Sequence, residues 1–258
     1  MTASLAYKET LQRHRDTRTD PMARQEQMRI RKTLASTALF GHLPEIGIGE
    51  LAEHITVKRA LGGSPINASR EASRSLYVVM GGRVKLVEFG ENGREVTLAI
   101  RRPGDIYGEG GLVGSIARGP QAIALDPATI LAIPHDLIVR HLAHYPATAM
   151  ALLRIMAHRL READQRVAEL ALCDVQARLV GRLVAMARED NQVDELGLVI
   201  RRRPTQQEMA NMVGSCRETV SRMVNKMMRD GELIGRGRSL VVTQALVQRV
   251  ERFRGRKS

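Results

Sequence analysis

Arg217, Glu218 and Arg222 stand at the opening of a helical stretch and give it a polar end able to read bases. A second set, Gly108, Glu109, Gly110, Arg118 and Gly119, is composed for holding an anion. Glycines let backbone amides approach a ligand closely, and a short helix behind them presents its positive end. The Arg118 guanidinium supplies a planar fork for a phosphate, and the Glu109 carboxylate can accept from a sugar hydroxyl. Taken alone the signal is weak, since a glycine-rich loop is more often a plain turn.

The first set must be positioned by two short helices. Thr205 with Glu208, and Ser215 with Glu218, have the spacing of capping boxes, each opening one helix. Met209, Ala210 and Val213 form the apolar face of the first helix. Val220, Met223, Val224, Met227 and Met228 do so for the second. Gly214 sits where the chain must turn sharply between them, so the segment reads as a helix-turn-helix. Leu233-Ile234, the turn from Gly235 to Arg238, and Leu240-Val241-Val242 follow as a two-stranded wing, with Leu198-Val199-Ile200 free to pair with it. Arg201, Arg202, Arg203, Arg236 and Arg238 are expected along one phosphate-facing edge, with Thr205, Ser215 and Thr219 as further phosphate contacts.

The second set lies among short β-type runs between about residues 57 and 134. Leu76–Met80, Gly81-Gly82 and Val84–Phe89 read as a tight hairpin. Asn92-Gly93 marks a second, with residues 95–100 as the outgoing strand, and Ile130–Ile133 is the last strand. Many short strands at this spacing predict a small barrel or sandwich. From Asp136 the pattern turns helical. Met150, Leu153, Met156 or Ala157, Leu160, Ala163, Val167 and Leu170 or Ala171 recur at spacings of three and four, a heptad seam suited to a parallel dimer. Asp164 falls on or beside that seam, where a carboxylate must either pair with a neighbouring Arg or meet a ligand.

The chain has 258 residues, enough for two domains, and its net charge of +12 suits a nucleic-acid partner. Arg13, Arg15, Arg18, Arg24, Arg29, Arg31 and Lys32 read as a basic, solvated N-terminal arm. The first residues lack the apolar core of a secretory signal, and no apolar run approaches a membrane span, so a cytoplasmic protein without a membrane partner is expected. Cys173 and Cys216 have no metal-ligand spacing. No Ser–His–acid or paired-carboxylate arrangement emerges, so no catalytic residue and no metal site is assigned.

Together these pieces resemble the CRP/FNR family of bacterial transcription regulators over roughly residues 34 to 243. The most specific parts are Gly108-Glu109 through Arg118 to Ile133, and Gly214 to Arg222. The segment from Leu170 to Leu179 also resembles the family's hinge. The resemblance implies an α+β chain: a basic extension (1–33), a jelly-roll-like cyclic-nucleotide-binding β-roll (34–135), a dimerisation helix and hinge (136–172), a winged helix-turn-helix (173–245) and a C-terminal tail (246–258). That tail looks like an amphipathic helix bearing Leu246, Val247, Val250 and Phe253. The implied partners are double-stranded DNA, a second copy of the chain and RNA polymerase.

By the same resemblance, Arg217 and Arg222 each read a guanine and Glu218 a cytosine amine, which agrees with groove chemistry; the expected operator is a TGTGA-like palindrome. Gly108, Glu109, Gly110 and Arg118 fall where the nucleotide-binding branch meets phosphate and ribose, and Arg159 matches a residue of the long helix near that pocket. Three departures weigh against cAMP. Gly119 replaces the hydroxyl residue that usually follows the phosphate Arg, the loop from Glu109 to Arg118 is one residue short, and Ala163 and Asp164 replace the hydroxyl pair that meets adenine. One carboxylate can accept from guanine N1–H and N2–H together. Asp164 therefore either favours a guanine nucleotide, cGMP first and cyclic di-GMP second, or pairs with Arg161 or Arg166 at the seam. The alternatives are a haem-based regulator using one of His42, His54, His135, His141, His144 or His158, a regulator with no effector, and a nucleotide-binding module that does not regulate DNA.

Overall fold

The computed structural model describes residues 21–66, 75–113 and 119–255. Arg13, Arg15, Arg18 and Arg118 lie outside the described residues, as does the side chain of Phe253. The chain divides into two compact units, residues 1–87 with 99–159, and residues 88–98 with 160–258.

In the first unit, helices α1 (Pro21–Ala35) and α2 (Glu45–Ala52) precede β1 (Thr56–Ala60), β2 (Ser75–Gly81), β3 (Val84–Phe89), β4 (Glu95–Arg101) and β5 (Ile106–Tyr107). A short 3-10 helix (Glu109–Val113), β6 (Gln121–Ala124), β7 (Ala128–Pro134) and α3 (His135–His144) follow, then the long α4 (Pro146–Leu172) begins. One sheet has the order β1-β7-β2-β5 and the other β4-β3-β6. Alternation along β2 and β7 explains why both read as nearly continuous apolar runs. Leu76, Val78, Leu131 and Ile133 point to a core shared with α1, α2 and α3. Tyr77, Val79, Ile130 and Ala132 point to the interior of the roll. Strands buried on both faces lose the polar half of the period-two pattern.

The sheet order corrects one expectation. β2 and β3 do not form a hairpin; β2 pairs with β7 and β5, while β3 pairs with β6 in the other sheet. Gly81-Gly82 is a corner between sheets. Gly82 has φ +76°, and a Cβ there would lie 2.5 Å from the Pro127 carbonyl oxygen, so only glycine fits the corner. The Asn92-Gly93 turn does join neighbouring strands, β3 and β4. Residues 21–33 also differ from the expected solvated arm. They form most of α1, whose Ile30 and Leu34 are buried one helical turn apart against the sheet.

The second unit holds α5 (Val175–Asp190), β8 (Val193–Asp194), β9 (Gly197–Ile200), α6 (Gln206–Val213), α7 (Arg217–Arg229), β10 (Leu233–Arg236), β11 (Ser239–Thr243) and α8 (Gln244–Gly255). The Asp174 carboxylate caps α5 by accepting from the Ala177 amide at 2.7 Å. Strands run β10-β11-β9-β8, so residues 198–200 pair with the wing. Leu183, Val184, Met209, Val220, Val224 and Leu240 make one core beneath the helices, and Leu246 and Val247 of α8 complete it. Among the described residues no helix is long and apolar enough to cross a membrane.

Candidate functional site

The end of α6 determines how α7 presents itself. The Thr205 hydroxyl accepts from the Glu208 amide at 3.1 Å, and the Glu208 carboxylate accepts from the Thr205 amide at 2.7 Å, so the first capping box forms. Gly214 then adopts φ +65°, a left-handed turn that side chains resist. The second box does not form. The Ser215 amide is spent on the Ala210 carbonyl, 3.0 Å away, closing α6. Backbone extension comes one residue later, at Cys216, which is the cap of α7 and has no side-chain hydrogen bond to the helix amides. Its thiol lies 3.0 Å from the Thr219 hydroxyl, and that contact pulls the thiol pKa below its ordinary value.

Beyond the cap, Val220, Val224 and Met227 are buried, while Arg217, Glu218 and Arg222 are exposed. At 3.6 residues per turn, Arg217, Glu218, Ser221, Arg222 and Asn225 share an arc of about 140° facing away from the core. The three expected base readers are thus brought onto one face by the apolar periodicity on the other.

The wing arginines do not form one uniform edge. Arg201, Arg202 and Arg238 are exposed. Arg203 departs from the expected edge: its guanidinium turns to the Met228 sulfur at 3.7 Å, and its amide donates to the Arg238 carbonyl at 2.8 Å. Arg236 is held by Asp194 at 2.8 Å. Asp194 also accepts from the Leu196 and Gly197 amides, at 2.8 and 3.1 Å, so it is a fixed anchor for that guanidinium.

A second long-range contact was not legible in the sequence. Asn211 on α6 is buried, accepts from Gln207 at 2.8 Å and donates to Glu95, beside the Asn92-Gly93 turn, at 3.0 Å. Arg166 donates to the Leu98 carbonyl on the same hairpin. The hairpin tip thereby belongs to the unit that holds the helix-turn-helix.

Of the expected ligand set, Gly108, Glu109, Gly110, Gly119 and Arg159 lie in the first unit. Gly108 has φ +88°, and a Cβ on it would lie 2.7 Å from the Ser75 carbonyl oxygen and 2.9 Å from the Tyr77 ring. This turn starts the 3-10 helix with Glu109. Arg159 on α4 meets Glu109 Oε1 at 2.5 Å, and its Nη2 donates to the Ile106 carbonyl at 2.5 Å. Both side chains are mostly buried, yet Glu109 Oε2 is buried without a hydrogen-bond partner among the described residues. Gly110 and Gly119 have open space where a Cβ would stand.

Ala163 and Asp164 are exposed residues of α4 in the second unit, and among the described residues Asp164 makes no ion pair with Arg161 or Arg166. The seam residues Met150, Leu153, Leu160 and Val167 on the same helix are each more than half exposed, an apolar stripe without cover in a single chain. Among the described residues no group of three or more His, Cys, Asp or Glu is placed to hold a metal ion.

Comparison with known proteins agrees with this division. A cyclic nucleotide-binding domain model matches residues 58–153, and a Crp-like helix-turn-helix domain model matches residues 177–246. The chain is 30% identical over 189 residues to the cyclic AMP receptor protein of Thermus thermophilus, covering 73% of this chain and 84% of that protein. It is 30% identical over 195 residues to the cAMP-activated global transcriptional regulator CRP of Pasteurella multocida, covering 73% of this chain and 90% of that protein. Among solved structures, the c-di-GMP responsive global regulator CLP of Xanthomonas campestris shares the fold, with a TM-score of 0.68 at 23% identity, covering 78% of this chain and 99% of that one.

Proposed function

From the premise that this chain belongs to the CRP/FNR family of transcription regulators, we propose that it is a homodimeric DNA-binding regulator switched by a cyclic nucleotide, with cGMP the favoured effector. The observation that carries the effector half is Glu109. One of its oxygens is neutralised by Arg159, while the other is buried and unpartnered behind a glycine turn that only glycine can make. A buried carboxylate oxygen without a donor is costly, and a ribose hydroxyl is the donor that fits. Arg118 and the Gly119 amide take the phosphate in this reading.

Asp164 is the reason to place guanine before adenine. It supplies two acceptor oxygens to the N1–H and N2–H pair, a charge-assisted contact that adenine cannot reproduce. The two relatives at 30% identity are named a cyclic AMP receptor protein and a cAMP-activated regulator, which keeps adenine as the second reading, and cyclic di-GMP is the third. The apolar stripe on α4 is covered by a second copy, giving a parallel pair of helices. Two recognition helices then read a TGTGA-like palindrome through Arg217, Glu218 and Arg222. Thr205, Ser215, Thr219, Arg236 and Arg238 hold phosphates.

Effector binding switches the protein only if the DNA-competent state binds the nucleotide more tightly than the other state does. DNA then raises effector affinity by the same factor. No catalytic step is assigned; in this reading the protein acts in the cytoplasm, with double-stranded DNA and RNA polymerase as its partners. Calorimetric titration with cGMP, cAMP and cyclic di-GMP tests the effector reading, with Arg118→Ala as control. Tight cGMP binding that disappears in the control supports it, and binding of none of the three overturns it.

A further inference from the structure

We infer that the Tyr107 hydroxyl contacts the sugar–phosphate half of the bound nucleotide; this rests on the cyclic-nucleotide reading above. Tyr107 ends β5, opposite Tyr77 of β2, and the two rings stack at 4.8 Å with 15° between their planes. Both are almost fully buried, at 1% and 2% exposure. Their hydroxyls have different fates. That of Tyr77 is hydrogen-bonded to Ser75, whereas that of Tyr107 is buried without a partner among the described residues.

A buried tyrosine hydroxyl usually finds a partner, and one left without costs stability. A phenylalanine would make the same stack without that cost, so packing alone does not account for the hydroxyl. Its place along the chain does. Tyr107 is followed by Gly108, whose turn is shaped by the Tyr77 ring, and then by Glu109 with its own unpartnered oxygen. Two orphaned polar groups therefore lie within three residues: a carboxylate that can only accept and a phenol that can donate.

Their complement is a ligand offering a hydroxyl beside acceptor oxygens, as a ribose cyclic phosphate does. Tyr107 projects into the roll interior, where Ala99, Ala122, Ala124, Ala128 and Ala132 keep the walls short. Ala122 and Ala124 lie on β6, which the chain enters just after Gly119. Burial pushes the Tyr107 pKa upward, so the phenol meets the ligand neutral, as a donor.

The test is Tyr107→Phe, titrated with cGMP and with cAMP beside the unmodified protein, with thermal melting of each protein free of nucleotide. One neutral hydrogen bond predicts an affinity loss of about 2- to 12-fold, equal for both nucleotides because both carry the same sugar and phosphate. The nucleotide-free variant should melt no lower than the unmodified protein, since an unsatisfied group has been removed. Unchanged affinity, or a loss confined to one base, overturns the inference and leaves the effector reading standing. An unmodified protein that binds neither nucleotide removes both. Should the variant not fold, the unmodified protein still decides. It has no Trp and four Tyr, so nucleotide binding must change its tyrosine ultraviolet difference spectrum, and a flat spectrum would overturn the contact.

Discussion

Arg159 of the long helix and Glu109 of the glycine turn pair at 2.5 Å, and the same guanidinium donates to the Ile106 carbonyl. The helix that carries the apolar seam is thus fastened to the turn proposed to receive the effector. In the proposed reading, a ligand that changes the charge or position of Glu109 acts on the middle of that helix, where Arg159 stands.

Glu109→Gln should weaken cyclic-nucleotide binding by roughly 10- to 100-fold, because a charge-assisted contact becomes a neutral one and the Arg159 pair is lost. Calorimetry checks the affinity, and far-ultraviolet circular dichroism checks that the roll stays folded. Undiminished affinity would remove Glu109 from the site.

Asp164→Ser should move preference from cGMP toward cAMP. The paired guanine contact is worth about 1–3 kcal/mol by analogy with groove recognition. Competition between the two nucleotides reads the change, and an unaltered ratio would leave Asp164 to the dimer seam.

Thr205→Ala should cost about 0.5–2 kcal/mol of stability, since the hydroxyl caps α6. Ser215→Ala should cost little, because α7 is not capped there. Urea denaturation of the two variants separates these outcomes; equal losses would restore the second capping box.

Arg217→Ala should cost about 1–3 kcal/mol on the operator and relax one base pair. Arg236→Ala should instead weaken every sequence alike and flatten the salt dependence by about one phosphate contact. Operator and random duplexes titrated at several salt concentrations distinguish the two. If Arg217→Ala weakened both duplexes equally, its assignment as a base reader would fail.

What the sequence made legible was local and periodic. The Thr205–Glu208 spacing, the αL glycine at 214 and the apolar face of α7 placed the recognition helix within a residue or two. What it did not make legible depends on partners far along the chain. Gly81-Gly82 carries the local signal of a hairpin. Yet β2 needs cover on both faces, and the Pro127 carbonyl crowds Gly82, so the strands part into different sheets. The bonds of Asp194 to Arg236 and of Glu95 to Asn211 join residues with no shared pattern. In α1, the Ile30 and Leu34 pair was a helical signal hidden among four of the basic residues counted as an arm, Arg24, Arg29, Arg31 and Lys32.

The most direct measurement is operator affinity with and without cGMP, by fluorescence anisotropy on a TGTGA-like palindrome at fixed salt. The coupling expected between two sites, about 1–3 kcal/mol, predicts a 5- to 150-fold tightening with cGMP. In Glu109→Gln that tightening should require roughly 10- to 100-fold more nucleotide than in the unmodified protein. Equal affinity in the presence and absence of every cyclic nucleotide tested would contradict effector control and leave a regulator that binds DNA unconditionally.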